Sequence, residues 1–121
     1  MPVHKILLVD DSKTELHFLS DLLTKRGYSV RTAANGDEAM RSLAEDKPDL
    51  ILMDVVMPGL NGFQATKAIT REPTTQHIPI IICTTKGQET DKIWGLRQGA
   101  KDYITKPISA AELLGKIAAL G

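Results

Sequence analysis

Only one cysteine, Cys83, stands in this chain of 121 residues, so no internal disulfide can form. An excess of charge of one sign is missing too: fifteen Lys and Arg balance fifteen Asp and Glu. Affinity for a polyanion backbone needs a cationic surplus, which argues against a general nucleic-acid binder. Long apolar runs are also absent. The stretch that follows Lys5 is too short for a secretion signal or a membrane span, so a soluble cytoplasmic protein without membrane contact is expected. Aromatics are few, with two Phe, two Tyr and one Trp. The histidines His4, His17 and His77 fall on separate segments without metal-ligand spacing, and they read as surface or edge residues. No repeat, low-complexity run or Pro/Gly/Ser-rich linker divides the chain, so residues 1–121 are expected to form a single domain.

What is present is an alternation. Short apolar runs occur at Ile6–Val9, Tyr28–Ala33, Leu50–Met53, Ile80–Cys83 and Tyr103–Ile104. The first, third and fourth are continuously apolar and rich in Ile, Leu and Val, as strands buried on both faces of a parallel sheet are. Helical spacing lies between them. Ser12 is placed to cap a helix that carries Leu16, Leu19 and Leu23 on one face and stops at Gly27. Asn35-Gly36 precedes a helix through Ala39, Met40 and Leu43 that ends before Pro48. Asn61 caps a third, with Phe63 and Ile69, halted near Pro73. A fourth runs from Glu89 to about Gln98 with Gly99 as its stop, and its core contacts are expected through Ile93 and Leu96 or Arg97. Ser109 caps the last, where Leu113, Ile117 and Leu120 share a face. Five strands alternating with five helices predict a doubly wound α/β fold, which binds ligands at the carboxyl ends of its strands.

Chemistry-bearing residues collect at those ends. The first strand leads into Asp10-Asp11, the third into Asp54, the fourth into Thr84-Thr85, and the fifth into Lys106-Pro107. Carboxylates crowded on one edge repel each other and hold raised pKa values unless a cation joins them. A hard divalent ion relieves this, and Mg²⁺ suits a site with few protein ligands and several waters, with Mn²⁺ as the alternative. Lys106 adds a fixed positive charge and Thr84 a hydroxyl donor. Together these groups suit phosphoryl transfer, in which one carboxylate attacks phosphorus while cations offset charge on the phosphoryl oxygens. Taken singly, each has a plainer explanation: an Asp pair is a turn or a cap, Lys-Pro says almost nothing, and a Thr at a strand end is a β-former. Their joint placement after four strands is what carries the reading. Cys83, inside a buried strand, reads as inert packing. Trp94 reads first as core packing, with an outward position near Tyr103 as the alternative, since exposed aromatics favour interfaces.

The segments Ile6-Leu-Leu-Val-Asp-Asp-Ser12, Asp49-Leu-Ile-Leu-Met-Asp54, Met57-Pro-Gly-Leu-Asn-Gly62, Ile82-Cys-Thr84, Gly99-Ala100 and Asp102-Tyr-Ile-Thr-Lys-Pro107 resemble the receiver domains of bacterial two-component response regulators, in order and over essentially the whole chain. The resemblance implies a flavodoxin-like five-stranded parallel sheet of order 2-1-3-4-5 with helices on both faces. It implies Asp54 as phosphoacceptor, and Asp10, Asp11, Asp54 and the backbone carbonyl of Val56 as metal ligands. Lys106 would contact the phosphoryl group, Thr84 and Tyr103 would form the switch pair, and the bond before Pro107 would be cis. A narrower resemblance, to stand-alone receivers of twitching-motility systems, is carried by residues 57–67, Thr84 to Lys92, Trp94 and Arg97-Gln-Gly-Ala100. It implies a histidine kinase of chemotaxis type as phosphodonor and signalling by contact with a downstream protein. The output face would hold Trp94 and Tyr103, and the chain would act as a monomer.

Rival readings are weaker. A receiver cut from a longer regulator is disfavoured by Met1 and a complete final helix, which lead us to expect a full-length protein without an output domain; the reading frame decides this. A phosphatase of external substrates needs a pocket and usually a cap insertion, for which the short loops leave no residues; turnover of phosphomonoesters would reveal one. A flavin carrier needs a Gly- and hydroxyl-rich loop after the first strand and aromatics to sandwich the ring. Asp10 and Asp11 would repel its phosphate.

The lifetime of the phosphoryl group follows from two flanking positions. Hydrolysis needs a water aligned behind phosphorus, and polar side chains at the edge of the site orient it. In the family that this chain resembles, the residues two places after the acceptor and two after the switch Thr flank that path; here they are Val56 and Lys86. Val56 has no hydrogen-bonding group to position the water, while the Lys86 ammonium either stabilises phosphoryl charge or swings freely in solvent, so slower self-dephosphorylation is expected than with an amide or carboxylate at these positions. Val56→Asn combined with Lys86→Glu is expected to shorten the life of the phosphorylated form in a single-turnover decay measurement; an unchanged or longer life contradicts the assignment.

Overall fold

The apolar runs pair into one sheet. In this computed structural model, which describes residues 3–55, 61–85 and 89–120, the strands are β1 (Lys5–Val9), β2 (Ser29–Ala33), β3 (Leu50–Asp54), β4 (Ile80–Thr85) and β5 (Asp102–Lys106). The helices between and after them are α1 (Lys13–Lys25), α2 (Gly36–Glu45), α3 (Gly62–Arg71), α4 (Glu89–Arg97) and α5 (Ala110–Leu120). All pairings are parallel and the order is β2-β1-β3-β4-β5, as expected. Central β1 and β3 are buried almost throughout, whereas β2 and β5 at the edges are half-exposed. This is why their sequences are mixed rather than continuously apolar.

Strand alternation builds two cores. Ile6, Leu8, Leu50, Leu52, Ile81, Cys83 and Ile104 pack with Leu19 and Leu23 of α1 and Leu113 and Ile117 of α5. Leu7, Val9, Ile51, Met53, Ile80 and Ile82 pack on the other side with Ala39 and Leu43 of α2 and Ala65 and Ile69 of α3. Successive side chains point to opposite faces, so one strand feeds both layers.

Helix ends follow the capping chemistry read from the sequence. The side chains of Ser12 and Asn35 accept the backbone N–H groups of Glu15 and Glu38, and Asn61 with Gln64 forms a reciprocal capping box. The hydroxyl of Ser109 accepts the N–H of Glu112 at 3.3 Å. Gly27 and Gly99 close their helices in the left-handed region, at φ +92° and +107°. The histidines His4, His17 and His77 are exposed. No helix among the described residues is long and apolar enough to cross a membrane.

The fourth helix departs from expectation. Ile93, Trp94 and Leu96 are 53%, 52% and 45% exposed, so neither the predicted core contacts through Ile93 and Leu96 nor the core position of Trp94 is found. The buried residue of this turn is Gly95. A methyl group there would overlap the Cδ1 end of Ile82, which is fully buried in β4. The helix lies on the sheet through its smallest residue, and its larger apolar neighbours are turned outward. Gly95→Ala should therefore lower the thermal midpoint although Ala favours helix, because overpacking at about 1–3 kcal/mol exceeds the propensity gain of about 1 kcal/mol. Ile82→Val removes the overlapping carbon, so the double variant should be more stable than the sum of the singles predicts in thermal melts. A Gly95→Ala protein that melts higher than wild type would contradict this contact.

Candidate functional site

The carboxyl ends of β1, β3, β4 and β5 meet at one edge of the sheet. Register sets them: Val9 lies beside Met53, Asp54 beside Cys83, and Thr85 beside Lys106. Residues that follow or end these strands are therefore neighbours without any long loop. Carboxylate oxygens of Asp10, Asp11 and Asp54 all lie within 4.8 Å of one another. Asp10 and Asp54 are buried, and Asp11 is exposed.

Lys106 sits between two of them. Its ammonium donates to Asp10 Oδ2 at 2.9 Å and lies 3.2 Å from Asp54 Oδ1. The other Asp10 oxygen, Oδ1, accepts the backbone N–H of Ser12 at 2.9 Å. Among the described residues, three carboxylates against one ammonium leave a formal charge of −2 at this edge. Asp54 registers the imbalance: burial and the neighbouring Asp10 charge push its carboxyl up to about 6, against the opposing pull of Lys106. Burial alone would lower the Lys106 pKa, but the hydrogen bond to Asp10 and the Asp54 and Asp10 charges hold it above its ordinary value.

Thr84, on β4, is fully buried, and its hydroxyl has no hydrogen-bond partner among the described residues. Such a group costs about 1–3 kcal/mol, and a ligand oxygen that accepted its proton would recover it. Cys83 next to it is sealed in the core, and burial pushes its thiol up to about 12, so it stays protonated, as expected for inert packing. Tyr103 on β5 is half-buried against the layer that contains Ile82 and Ala100. The bond from Lys106 to Pro107 is cis. Val56 and Lys86, the expected metal-ligating carbonyl and the lifetime residues, lie outside the described residues, as do residues 57–60 of the motif after Asp54.

Two contributors escaped sequence reading. Gly62 opens α3 directly against β3: a Cβ there would overlap the backbone carbonyl of Asp54. Only a residue without a side chain lets the capped helix approach β3 so closely. The signal available was a Gly just after an Asn cap. The other, Lys116 of α5, pairs with Asp102 of β5 at 3.1 Å.

The donor set fits a hard divalent cation. It consists of carboxylate oxygens, carries excess negative charge, and is partly open through exposed Asp11. The remaining hydroxyl and ammonium suit the oxygens of a phosphoryl group.

The profile of the response regulator receiver domain matches residues 6–118, and the chain belongs to that family. It is a two-component receiver domain. It is 53% identical over 116 residues to protein PilH of Pseudomonas aeruginosa, spanning 96% of each chain. It is 40% identical to response regulator PleD of Caulobacter vibrioides, of which it covers 26%. Among solved structures, chemotaxis protein CheY4 of Vibrio cholerae superimposes with a TM-score of 0.91 at 33% identity, covering 98% of this chain and 99% of that one.

The charge imbalance predicts an apo-state penalty. A folded pKa above the unfolded 3.8 means that ionised Asp54 opposes folding. The penalty is complete above about pH 6, on the order of 2–3 kcal/mol, and is relieved as pH falls from 6 toward 4. In EDTA at pH 7.5, Asp54→Asn should melt several degrees above wild type, and the gap should close near pH 4. A variant no more stable than wild type at pH 7.5 would show that Asp54 carries no such strain.

Proposed function

We propose that the chain, as one receiver domain through its length, takes a phosphoryl group on Asp54 from a histidine kinase and signals by protein contact. The observation that supports this most is the convergence of Asp10, Asp11 and Asp54, two of them bridged by Lys106, at the strand ends where the buried Thr84 hydroxyl has no partner among the described residues. Asp10, Asp11 and Asp54, with the Val56 carbonyl, would hold Mg²⁺ or Mn²⁺. When bound, that ion supplies positive charge to the carboxylates and to the phosphoryl oxygens.

The chain's own groups divide the remaining work. An Asp54 carboxylate oxygen forms the new bond to phosphorus, and the bond to the donor's imidazole nitrogen breaks, its electron pair leaving with that nitrogen. Lys106, already 3.2 Å from Asp54, is placed to follow the charge onto a phosphoryl oxygen. Thr84 donates its hydroxyl proton to another, ending its unpartnered state. The shift of Thr84 toward the phosphoryl group frees space on the Tyr103 side of β4 and β5, and Tyr103 turns with it.

Output then passes through the face made by α4, β5 and α5, on which Trp94 is exposed. Likeness to PilH supports a place in type IV pilus twitching motility or a related chemosensory pathway, with a chemotaxis-type kinase. The protein would work in the cytoplasm as a monomer and turn over no external substrate. Val56 and Lys86 would set how long the acyl phosphate lasts.

Acetyl phosphate with Mg²⁺ should add one acid-labile phosphoryl group to the wild type and none to Asp54→Asn, read by intact mass spectrometry. Asp11→Ala should lose most of the Mg²⁺-induced rise in melting temperature while keeping the wild-type fold. Equal labelling of wild type and Asp54→Asn would remove Asp54 as the acceptor; an undiminished Mg²⁺ response would remove Asp11 as a ligand.

A further inference from the structure

Strand β5 forms one edge of the sheet, and its alternate residues serve different layers. Ile104 packs with Leu113 and Ile117 of α5, whereas Tyr103 packs on the opposite side against the layer of Ile82 and Ala100. At this open edge a side chain from α5 can reach both sides. Lys116 does so. Its ammonium donates to Asp102 Oδ2 at 3.1 Å and lies 5.5 Å from the centroid of the Tyr103 ring. The second oxygen of the same carboxylate, Asp102 Oδ1, accepts the backbone N–H of Tyr103 at 2.8 Å. Backbone and ring of one residue are thus gripped by one ion pair.

An ion pair that only tied α5 to β5 would leave the ring untouched. Here the ammonium stands within the roughly 6 Å at which a cation is drawn to an aromatic face. Solvent screens it less than usual: the Lys116 side chain is 24% exposed, against 74% for Lys25 in its surface pair with Asp21.

We propose that Lys116 is a positioning residue for the switch. Anchored by Asp102, it holds the Tyr103 ring in its resting orientation and opposes the turn that follows phosphorylation. This rests on the switch role assigned to Tyr103 above. Loss of the Lys116 charge therefore shifts the resting ring and makes switching easier.

The chain has two tyrosines, so 3-fluorotyrosine labelling gives two ¹⁹F resonances, and Tyr28, which packs in the other layer, is the internal reference. Lys116→Gln should move the Tyr103 resonance and leave that of Tyr28 in place, while Lys116→Arg keeps both close to wild type. Titration with beryllofluoride and Mg²⁺ should convert the Tyr103 signal at roughly two- to five-fold lower mimic concentration in Lys116→Gln than in wild type, the factor given by a cation–π contact of about 0.5–1 kcal/mol. Labelling of Asp54 by acetyl phosphate is followed on the same samples. Intact labelling with an unmoved Tyr103 signal and an unchanged midpoint in Lys116→Gln overturns the role of Lys116 alone. A wild type that takes no phosphoryl group overturns the reading of the site and the switching role with it.

Discussion

Like-charge repulsion at the carboxyl edge of the sheet is the constraint on which the site depends. Asp10 and Asp54 are buried within reach of each other and of Asp11, and the Lys106 ammonium bridges the buried pair. A fold that had to be most stable by itself would not place three carboxylates there. Apolar strands make it tolerable: β1 and β3 are buried along almost their whole length and hold the edge rigid. The strain is local, and the stability that offsets it comes from the two hydrophobic layers. A divalent cation is the partner that this arrangement lacks electrostatically, and an anionic phosphoryl group is tolerable there only beside such a cation and Lys106. The repulsion is relieved when a cation binds, so it favours the cation-bound state.

Much of this was legible in the sequence. Five apolar runs, their caps at Ser12, Asn35 and Asn61, and the stops at Gly27 and Gly99 gave the element order, since each signal has a local cause. Asp10, Asp11, Asp54, Thr84 and Lys106 were readable because the end of a strand is a place that pattern alone defines. The fourth helix was misread for a physical reason. Periodicity assigns the core to the large apolar residues, but here Ile82 fills the space and admits only Gly95. Gly62 was missed on the same ground, since close backbone approach leaves no apolar signal. Lys116 was missed because its partners, Asp102 and Tyr103, come from a different element and are found only by tertiary packing.

These misread residues share a direction. Gly62 lets α3 press on β3 at Asp54, Gly95 lets α4 lie on Ile82, and Lys116 ties α5 to β5 beside Tyr103. Each sets how an element next to the site sits on the sheet, and none takes part in the chemistry. Turning Gly95 inward also leaves Ile93, Trp94 and Leu96 on the surface, an apolar patch beside Tyr103's strand.

The central claim, that the strained carboxylate edge is a combined cation and phosphoryl site, is tested most directly by a crystal structure grown with Mg²⁺ and beryllofluoride. The account predicts beryllium bonded to an Asp54 carboxylate oxygen, the ion on Asp10 and Asp11, and fluorine atoms within hydrogen-bond distance of Lys106 Nζ and Thr84 Oγ1. Density for the mimic on another residue, or an Asp54 still paired only with Lys106 at saturating mimic, would contradict it.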